Sequence, residues 1–328
     1  MQAFEYANPA TVKEAAGMLG GRWGEVAVLA GGTDLLSLMK EHIETPRRVV
    51  NIKNIKELGG IKKQGTGLRI GATVTFDELE RNPEVRRMYP VLAQAAAGVT
   101  SPQIRNMGTV AGDLCQRPRC WYYRSGFGLL GQDKDGKALI PGGENKYHAI
   151  LGNAGPAYFV SASSLGPALV ALSAKIRLVS ASGSRDVDAA KFFVTPQNGD
   201  SREIALLPNE LVTEILLPPV DSHSATYEVR QKEALDWPLA TASVVLNMTG
   251  ESVSSAHIVL GHVAPTPWVA TEAERSLAGK TVSLAGAAEV ARAAVEGATP
   301  LSQNKYKVQL VRVAVKRALL KAATGKIG

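Results

Sequence analysis

A glycine pair placed directly between an apolar run and an amphipathic segment constrains this chain more than any other local feature. The stretch "VAVLAGGTDLLSLMK" covers residues 26 to 40. Glycine removes the side chain that would block the backbone, and the first N–H groups of a helix have no partner within that helix. The stretch therefore predicts a strand, a turn and a helix. Two interpretations remain open, an ordinary junction and a turn that binds a phosphate.

Short strands and helices alternate through the first part of the chain. Strands are predicted at "VAVLA", "RRVVNI" and "LRIGA", and a helix is predicted from Thr33 to about His42. Thr75 is followed three residues later by Glu78, a capping-box pattern that predicts a helix start. The helix predicted at "PEVRRMYPVLAQAAAG" is expected to be interrupted at Pro90.

Residues 120 to 155 interrupt this alternation, because they are rich in glycine and turn formers and predict a long loop. After the loop, "AYFVSASSLGPALVALSAKIRLVS" predicts a strand, a helix and a strand, and "ELVTEILLP" predicts another strand. The stretch "PPVDSHS" predicts a domain boundary near residue 220. Beyond it, strands at "ATYEVRQ", "ASVVLNMTG" and "SAHIVLGHVA" precede helices at about 270–278, 284–296 and 303–323, an order typical of an α+β domain.

The composition is that of an ordinary globular protein with enough chain for more than one core. Of the 328 residues, 45% are hydrophobic and 20% are charged. No apolar run approaches the roughly 18 residues of a membrane helix, so we expect no membrane insertion. No export signal is recognised, and two cysteines are too few for a disulfide framework. A cytoplasmic location is predicted; a periplasmic one would require a partner subunit that carries the signal.

The net charge of +7 comes from one C-terminal segment, since residues 301 to 328 contain seven lysines and arginines and no acid. Within it, Val308, Val311, Val315 and Leu319 recur at spacings of three and four, as on a helix that packs by one face. We interpret the segment as a docked helix with a solvated basic face. A nucleic-acid partner is not expected, because no nucleic-acid motif or aromatic interleaving accompanies the charge.

A second glycine-rich turn, "NMGTVAGDL", follows the first by about seventy residues. Neither turn has the G-x-G-x-x-G spacing of a Rossmann domain or the lysine and hydroxyl residue of a P-loop, which argues against both. Each turn offers successive backbone N–H groups beside a threonine hydroxyl, and such nests bind anions without a cationic side chain. Two nests in one domain could hold the two phosphates of a dinucleotide.

With both turns in this order and separation, the sequence resembles the FAD-binding (medium) subunits of the xanthine dehydrogenase, or molybdenum hydroxylase, family over nearly its whole length. It is most similar to the flavoprotein subunits of bacterial aldehyde oxidoreductases. The resemblance implies an α+β fold. A two-lobed FAD-binding domain of the PCMH (vanillyl-alcohol-oxidase-like) type is expected at 1–220, with lobes at about 1–55 and 56–220 and a loop insert at 115–155. A small α+β domain like that of CO dehydrogenase flavoproteins is expected at 222–328.

The resemblance also implies that the cofactor is FAD and that the two turns enclose its diphosphate. Neither a catalytic residue nor a metal ligand is expected. The expected FAD contacts are Leu29, Ala30, Gly31, Gly32, Thr33, Asp34, Leu35, Leu36, Thr100, Ile104, Gly108, Thr109, Ala111, Gly112, Asp113, Leu114, Tyr123, Ser164, Val212 and Lys232.

Two positions depart from the family pattern. An aspartate commonly follows a serine in the segment that here reads "VSASSLGPALVAL", and Ser164 takes its place. Lysine is frequent where this chain has Glu228, and Lys232 is close enough in sequence to substitute for it. Val212 falls where an aliphatic residue facing the flavin is expected.

The insert, "DLCQRPRCWYYRSGFGL" to "GENKYHAILGN", resembles a loop in which some relatives hold a [4Fe–4S] cluster with four cysteines. Only Cys115 and Cys120 are present, so we expect no cluster and interpret both as unreactive thiols. Residues 121 to 123, Trp-Tyr-Tyr, are expected either to anchor the loop or to cover a flavin or adenine ring. The histidines are predicted to be structural: hydrogen-bonded at His148 and His257, and in the core or an interface at His262.

The resemblance implies that the chain works with separate partners, a small [2Fe–2S] subunit and a large molybdopterin subunit. A substrate such as an aldehyde, a purine or an N-heterocycle would be oxidised at molybdenum. Electrons would pass through the [2Fe–2S] centres to FAD and then to an acceptor such as NAD or O2. Two alternatives stay open: a stand-alone flavin oxidoreductase of the cell-wall-reductase type, and a flavin-free scaffold subunit.

Overall fold

Three β-sheets and the helices packed on them form the part of the chain that the computed structural model describes, residues 1–220, 223–232 and 235–326. The strands are β1 (Glu5–Ala7), β2 (Val26–Leu29), β3 (Arg48–Asn51), β4 (Ile61–Gln64), β5 (Gly67–Gly71), β6 (Lys175–Ser180), β7 (Gly183–Asp188), β8 (Leu211–Leu217), β9 (His223–Arg230), β10 (Pro238–Thr249), β11 (Ser252–Gly261) and β12 (Trp268–Val269). The helices are α1 (Val12–Gly17), α2 (Leu35–Lys40), α3 (Phe76–Arg81), α4 (Pro83–Met88), α5 (Pro90–Ala97), α6 (Pro102–Met107), α7 (Val110–Cys115), α8 (Trp121–Arg124), α9 (Gly166–Ala171), α10 (Ala189–Phe192), α11 (Thr271–Leu277), α12 (Leu284–Ala293) and α13 (Tyr306–Thr324).

The first sheet is parallel and has the order β1-β3-β2. Strand β2 lies at its edge, and the first glycine turn leaves the carboxyl end of β2 to enter α2. Loops that follow the carboxyl ends of parallel strands are common ligand sites. The helix predicted from Thr33 to about His42 is shorter than expected: α2 begins only after the turn, at Leu35, and ends at Lys40, just before His42 adopts a positive φ.

The second sheet is antiparallel, with the order β4-β5-β8-β6-β7. Strand β8 enters between β5 and β6, so that Ile215 lies beside both Ile70 and Ile176. Helices α5 and α9 add their apolar faces to the same core, which also includes residues of the first sheet. This shared core fixes the first glycine turn relative to the second.

The predicted capping box at the start of α3 is confirmed: the Thr75 hydroxyl accepts from the Glu78 N–H, and the Glu78 carboxylate accepts from the Thr75 N–H. The interruption at Pro90 is also confirmed, since it separates α4 from α5. The strand predicted at "AYFV" is wrong. That segment is instead held through single backbone bonds, such as Ala149 N–H to Tyr158 O and Ser161 N–H to Ala264 O.

The third sheet is antiparallel, with the order β12-β11-β10-β9; α11 and α13 pack on one face of it, and α12 packs on these two helices. The short β12 adds one strand to the three predicted. Antiparallel sheets with segregated helices confirm the α+β class. Within the ranges given above, no helix is both long and apolar enough to cross a bilayer.

One basic residue of α13 departs from the expected solvated face. Lys307 is buried, and its Nζ donates to three backbone oxygens: those of Tyr147 at 3.0 Å, His148 at 3.2 Å and His262 at 2.7 Å. Periodicity identifies the apolar face of a helix, but it does not reveal that the insert covers the first turn of α13. Burial lowers the pKa of Lys307 to about 7, while the three acceptors favour its charged form.

Candidate functional site

A cleft with an empty volume of about 1480 Å³, measured out to open solvent, lies where the first sheet, the second sheet and the insert meet. Both glycine turns line it, together with Trp237 and with Arg202, Ile204, Leu206, Pro208, Glu210, Leu211 and Val212. Concave sites with a mostly apolar lining and a few convergent polar groups are the usual sites of small-molecule and cofactor binding. The cleft is therefore a candidate ligand site.

The first glycine turn presents an uninterrupted run of free backbone donors to this cleft. Within the described ranges, no N–H from residue 31 to residue 35 donates to a protein acceptor. Asp34 stands at the start of α2 but does not cap it. Its carboxylate instead accepts from the Arg117 N–H at 2.8 Å and from Arg124 Nη2 at 2.8 Å. Free amides on a glycine turn suit an anion such as a phosphate.

The two glycine turns touch each other directly. A Cβ atom at Gly31 would lie 1.8 Å from the carbonyl oxygen of Met107 and 3.1 Å from the Cα of Gly108. Gly32 has a φ of +72°, in the left-handed region that favours glycine. The two glycines are therefore required for different reasons. A side chain at position 31 would clash with the second turn, and position 32 adopts a left-handed backbone conformation.

The second glycine turn pairs nearly all of its own amides. The N–H of Val110 donates to Val74 O at 2.8 Å, and that of Ala111 donates to Ala72 O at 3.1 Å. Thr109 caps α7, since its Oγ1 accepts from the Gly112 N–H at 3.2 Å. The prediction that both turns offer free amides is therefore wrong for the second turn, because most of its N–H groups donate to nearby backbone and side-chain acceptors.

Asp113 holds the second turn against the segment before α9. Its buried carboxylate accepts from Ser163 Oγ at 2.5 Å, Ser164 N at 3.0 Å and Leu165 N at 2.9 Å. Burial raises the pKa of Asp113, and the hydrogen bonds from Ser163 and the two amides oppose that rise. A carboxylate from the second turn therefore holds the segment that carries Ser164, the position where relatives commonly have an aspartate.

Fourteen of the twenty expected contacts line the cleft: Ala30, Gly31, Gly32, Thr33, Asp34, Leu35, Ile104, Gly108, Thr109, Ala111, Gly112, Asp113, Ser164 and Val212. The fold therefore brings both turns, the segment before α9 and strand β8 to one place. The remaining six are not among the lining residues: Leu29, Leu36, Thr100, Leu114, Tyr123 and Lys232.

Four of the six residues that do not line the cleft lie in the core, bond to the backbone or face solvent. Leu114 belongs to the main core, and Tyr123 is buried in a smaller core beneath the insert. Thr100 Oγ1 accepts from the Leu235 N–H at 2.7 Å. Lys232 is exposed.

Glu228, where relatives often have lysine, is also accounted for by its neighbours. It is largely buried and forms an ion pair with Arg230 beside Gly98. Neither Glu228 nor Lys232 lines the cleft. The structure therefore does not bring the proposed substitute for the family's lysine to the cleft wall.

Sequence reasoning missed the charged and aromatic part of the cleft wall. The missed residues that carry charge or a large ring are Trp23, Glu44, Phe76, Arg117, Arg119, Arg202, Glu210 and Trp237. Glu203 lies between two of the arginines, with Oε1 at 3.3 Å from Arg117 Nε and Oε2 at 3.5 Å from Arg202 Nε. The one signal available in the sequence was the pair of arginines in "QRPR", immediately after the second turn.

The aromatic residues of the insert anchor the loop to itself. Trp121 Nε1 donates to Glu144 O at 3.0 Å, and the Tyr122 hydroxyl accepts from the Glu144 N–H at 2.8 Å. Burial raises the pKa of Tyr123 to about 12. None of these three rings lines the cleft. These contacts favour the interpretation that the three aromatic residues anchor the loop over the interpretation that they cover a flavin or adenine ring.

The two cysteines lie in different surroundings. Burial raises the pKa of Cys115 to about 12 and also raises the pKa of Cys120, whose Sγ lies 3.2 Å from His148 Nε2. Burial lowers the pKa of His148 to about 4. Both thiols are therefore protonated at neutral pH. In the ranges that the structure covers, no three histidine, cysteine or acidic side chains form a group suited to a metal ion.

His262 and His257 differ in burial. His262 is buried and its Nδ1 lies 3.0 Å from Thr241 Oγ1, which confirms a core position. His257 is exposed, with Nδ1 at 3.9 Å from Glu274 Oε1, a distance too long for a hydrogen bond. The prediction that His257 makes a structural hydrogen bond is therefore wrong, because its side chain lies on the solvent-exposed face of β11.

Comparisons with known proteins agree with this geometry. Residues 2–220 match the family described as the FAD binding domain in molybdopterin dehydrogenase, and residues 225–322 match the CO dehydrogenase flavoprotein C-terminal domain. The chain is 30% identical to the aldehyde oxidoreductase FAD-binding subunit PaoB of Escherichia coli K12 over 335 residues, which covers 98% of this chain and 99% of that one. It is 31% identical to the carbon monoxide dehydrogenase medium chain of Hydrogenophaga pseudoflava, over 96% of each chain.

Solved structures give the same relationship. The chain superposes on a chain of Hydrogenophaga pseudoflava carbon monoxide dehydrogenase with a TM-score of 0.76 and 29% identity, covering 100% of this chain and 99% of that one. For quinoline 2-oxidoreductase from Pseudomonas putida 86, the TM-score is 0.77 and the identity 25%, with the same coverage. The resemblance inferred from the two glycine turns is confirmed, and the chain belongs to the family of FAD-binding molybdopterin dehydrogenase subunits.

Proposed function

We propose that this chain is the FAD-binding subunit of a heteromeric molybdenum hydroxylase and carries electrons from a [2Fe–2S] partner subunit to an external acceptor such as NAD or O2. The observation that supports it best is the first glycine turn, with its five free amides on a cleft that both glycine turns line. A molybdopterin partner would carry the substrate-oxidising centre. The two free cysteines agree with a cytoplasmic location.

The residues of the cleft fit FAD. Free amides from Gly31 to Leu35 would bind the diphosphate, and Gly31 and Gly108 let the two turns approach closely enough to form one wall. Bound there, FAD supplies both one-electron and two-electron chemistry, so that electrons received singly can leave as a pair. The protein side chains bind and orient the cofactor. We assign none of them a proton-transfer role.

The division of the chain follows from the same proposal. Residues 1–220 would form the cofactor-binding domain, and the domain from residue 222 onward would close one side of the cleft through Trp237. We propose that Ser164 and Val212, which line the cleft on the side of the second sheet, contact the cofactor as well.

Purification of the intact complex from native cells tests this function. We expect one FAD on this chain, together with two further subunits that contain iron and molybdenum. The isolated chain should retain FAD without hydroxylating aldehydes, purines or N-heterocycles. Turnover of such substrates by the single chain without molybdenum would favour a stand-alone oxidoreductase. A flavin-free chain within the complex would favour a scaffold.

A further inference from the structure

Two arginine side chains stack on two tryptophan rings in the wall of the cleft. The guanidinium carbon of Arg119 lies 4.3 Å from the centre of the Trp237 ring, and that of Arg202 lies 4.2 Å from the centre of the Trp23 ring. All four residues line the cleft, and they come from four separate segments of the chain. Stacked cation–aromatic pairs form flat, polar-edged surfaces that suit a planar ring.

The two pairs differ in exposure and in charge balance. The Arg119 side chain is 35% exposed and Trp237 is 39% exposed, so this is the outer pair. The Arg202 side chain is 16% exposed and Trp23 is half-buried, so this is the inner pair. Glu203 lies 3.5 Å from Arg202, whereas Asp34 lies 3.8 Å from Arg119 and already accepts two hydrogen bonds.

We propose that the two pairs bind the two planar ring systems of the dinucleotide, the outer pair the isoalloxazine and the inner pair the adenine. The inference rests on the proposed function. The dinucleotide has one ring system on each side of its diphosphate, and the first glycine turn is the part of the wall suited to the diphosphate. The ring that exchanges electrons needs to lie where a partner or acceptor can approach, which favours the exposed pair. The adenine takes no part in the chemistry and suits the enclosed pair.

The polar surroundings of the inner pair support this assignment. The Nε atoms of Arg117 and Arg202, two arginines of the cleft wall, are buried and form no hydrogen bond to a described residue. Each lies only at ion-pair distance from Glu203, at 3.3 Å and 3.5 Å. A ligand that accepts hydrogen bonds would satisfy such donors, and the ring nitrogens of adenine are acceptors. The outer pair offers mainly a ring face and a cation.

Arg119 has a second expected effect at the outer position. A positive charge beside the isoalloxazine favours its reduced form, which is the more negative one, and so raises the reduction potential. Arg119 would act through its charge and its stacking, while Trp237 would hold both the guanidinium and the ring. Arg202, whose charge is balanced by Glu203, would change the affinity for FAD without changing the potential.

Single-ring variants of the holoprotein separate the two positions. Trp237→Ala should alter the visible spectrum and raise the fluorescence of bound FAD, because a quenching ring is lost. Trp23→Ala should weaken FAD about tenfold, as expected for one lost stacking contact, and leave the spectrum unchanged. Trp121→Ala is the matched control, since that ring is 37% exposed but does not line the cleft. It should change neither the spectrum nor the affinity.

Potentiometry of the arginine variants completes the test. Arg119→Gln should lower the flavin midpoint potential, Arg119→Lys should largely restore it, and Arg202→Gln should weaken FAD binding at an unchanged potential. The proposal is overturned if Trp23→Ala changes the flavin spectrum, if Trp237→Ala does not, or if the two Gln variants shift the potential equally. A wild-type chain that binds no FAD would instead refute the proposed function.

Discussion

The two glycine turns look alike in sequence but differ in how their backbone amides are used. The first, from Gly31 to Leu35, leaves every amide without a protein acceptor in the described ranges, and the second, around Thr109, donates nearly all of its amides to nearby protein acceptors. A turn whose donors are already paired is rigid before any ligand arrives. A turn whose donors are free becomes fully hydrogen-bonded only when an anion binds. We therefore propose that the first turn binds the ligand and that the second forms a rigid wall beside it.

The largest expected effect is at the contact between the turns. Gly31→Ala should abolish FAD binding, because its Cβ would lie 1.8 Å from the Met107 carbonyl oxygen and would force the turns apart. Flavin content per folded chain, measured after gel filtration, checks this. Gly21→Ala is the control, since no atom lies within 4 Å of the added Cβ. Full flavin content in a folded Gly31→Ala protein would mean that the close contact has no role.

A large loss of stability is expected at the carboxylate that fixes the second turn. Asp113→Ala would leave one hydroxyl and two amides buried without their acceptor, and should lower the free energy of unfolding by about 3 kcal/mol. Chemical denaturation measures this change. Asp135→Ala, on the exposed part of the insert, should have no measurable effect. If the account is right, the folded Asp113→Ala protein still binds FAD, because the first turn is intact.

Acid should destabilise the protein away from both turns. The pKa of His148 is lowered to about 4 and that of His262 to about 3, in both cases mainly by burial, from an ordinary value of 6.5. The unfolded chain thus binds more protons than the folded chain between pH 6.5 and about 4. Stability should fall as the pH falls through this window, by about 1.4 kcal/mol per pH unit for each imidazole. Below about pH 3 this loss is complete.

Thermal unfolding measured from pH 7 to pH 4 tests the acid effect. His262→Asn should remove about half of the pH dependence, since it removes one of the two imidazoles. An unchanged pH dependence in that variant would place the acid sensitivity elsewhere.

A smaller effect is expected at the cap of α7. Thr109→Ala removes the hydroxyl that accepts from Gly112 and should cost about 1 kcal/mol of stability, as for other N-cap residues. FAD affinity should fall far less than in Gly31→Ala. A loss of FAD as complete as in Gly31→Ala would show that the second turn binds the diphosphate itself, and would remove the distinction between the turns.

No effect on the flavin is expected at the two cysteines. Iron and acid-labile sulfide should be absent from anaerobically purified chain, because a [4Fe–4S] cluster needs four ligands and only two cysteines are present. The double variant Cys115→Ser/Cys120→Ser should keep the flavin spectrum. Stoichiometric iron that disappears in the double variant would show that the insert is a metal site.

The sequence predicted those features that depend on local pattern. Three such features were predicted correctly: the Gly31–Gly32 turn after an apolar strand, the capping box at Thr75 and the apolar face of α13. Each depends on residues that are close together in the chain. Twelve of the fourteen expected contacts that line the cleft do so for the same reason, since they belong to the two turns or their flanking segments; Ser164 and Val212 come from elsewhere in the chain.

Features that depend on distant segments were not predictable in this way. The amides of the second turn find acceptors at Val74 and Ala72, which no glycine pattern specifies. The arginine–tryptophan pairs join segments about 120 and 180 residues apart, so neither residue signals the other. Lys307 was assigned to a solvated face because the insert that buries it lies 160 residues earlier.

Amide hydrogen exchange, measured with and without FAD, tests the difference between the turns most directly. Without FAD, the amides of residues 31 to 35 should exchange quickly, and those of residues 110 to 113 should already be protected. FAD should slow exchange at residues 31 to 35 and change residues 110 to 113 little. Protection gained on FAD binding at the second turn, with residues 31 to 35 unchanged, would contradict the account.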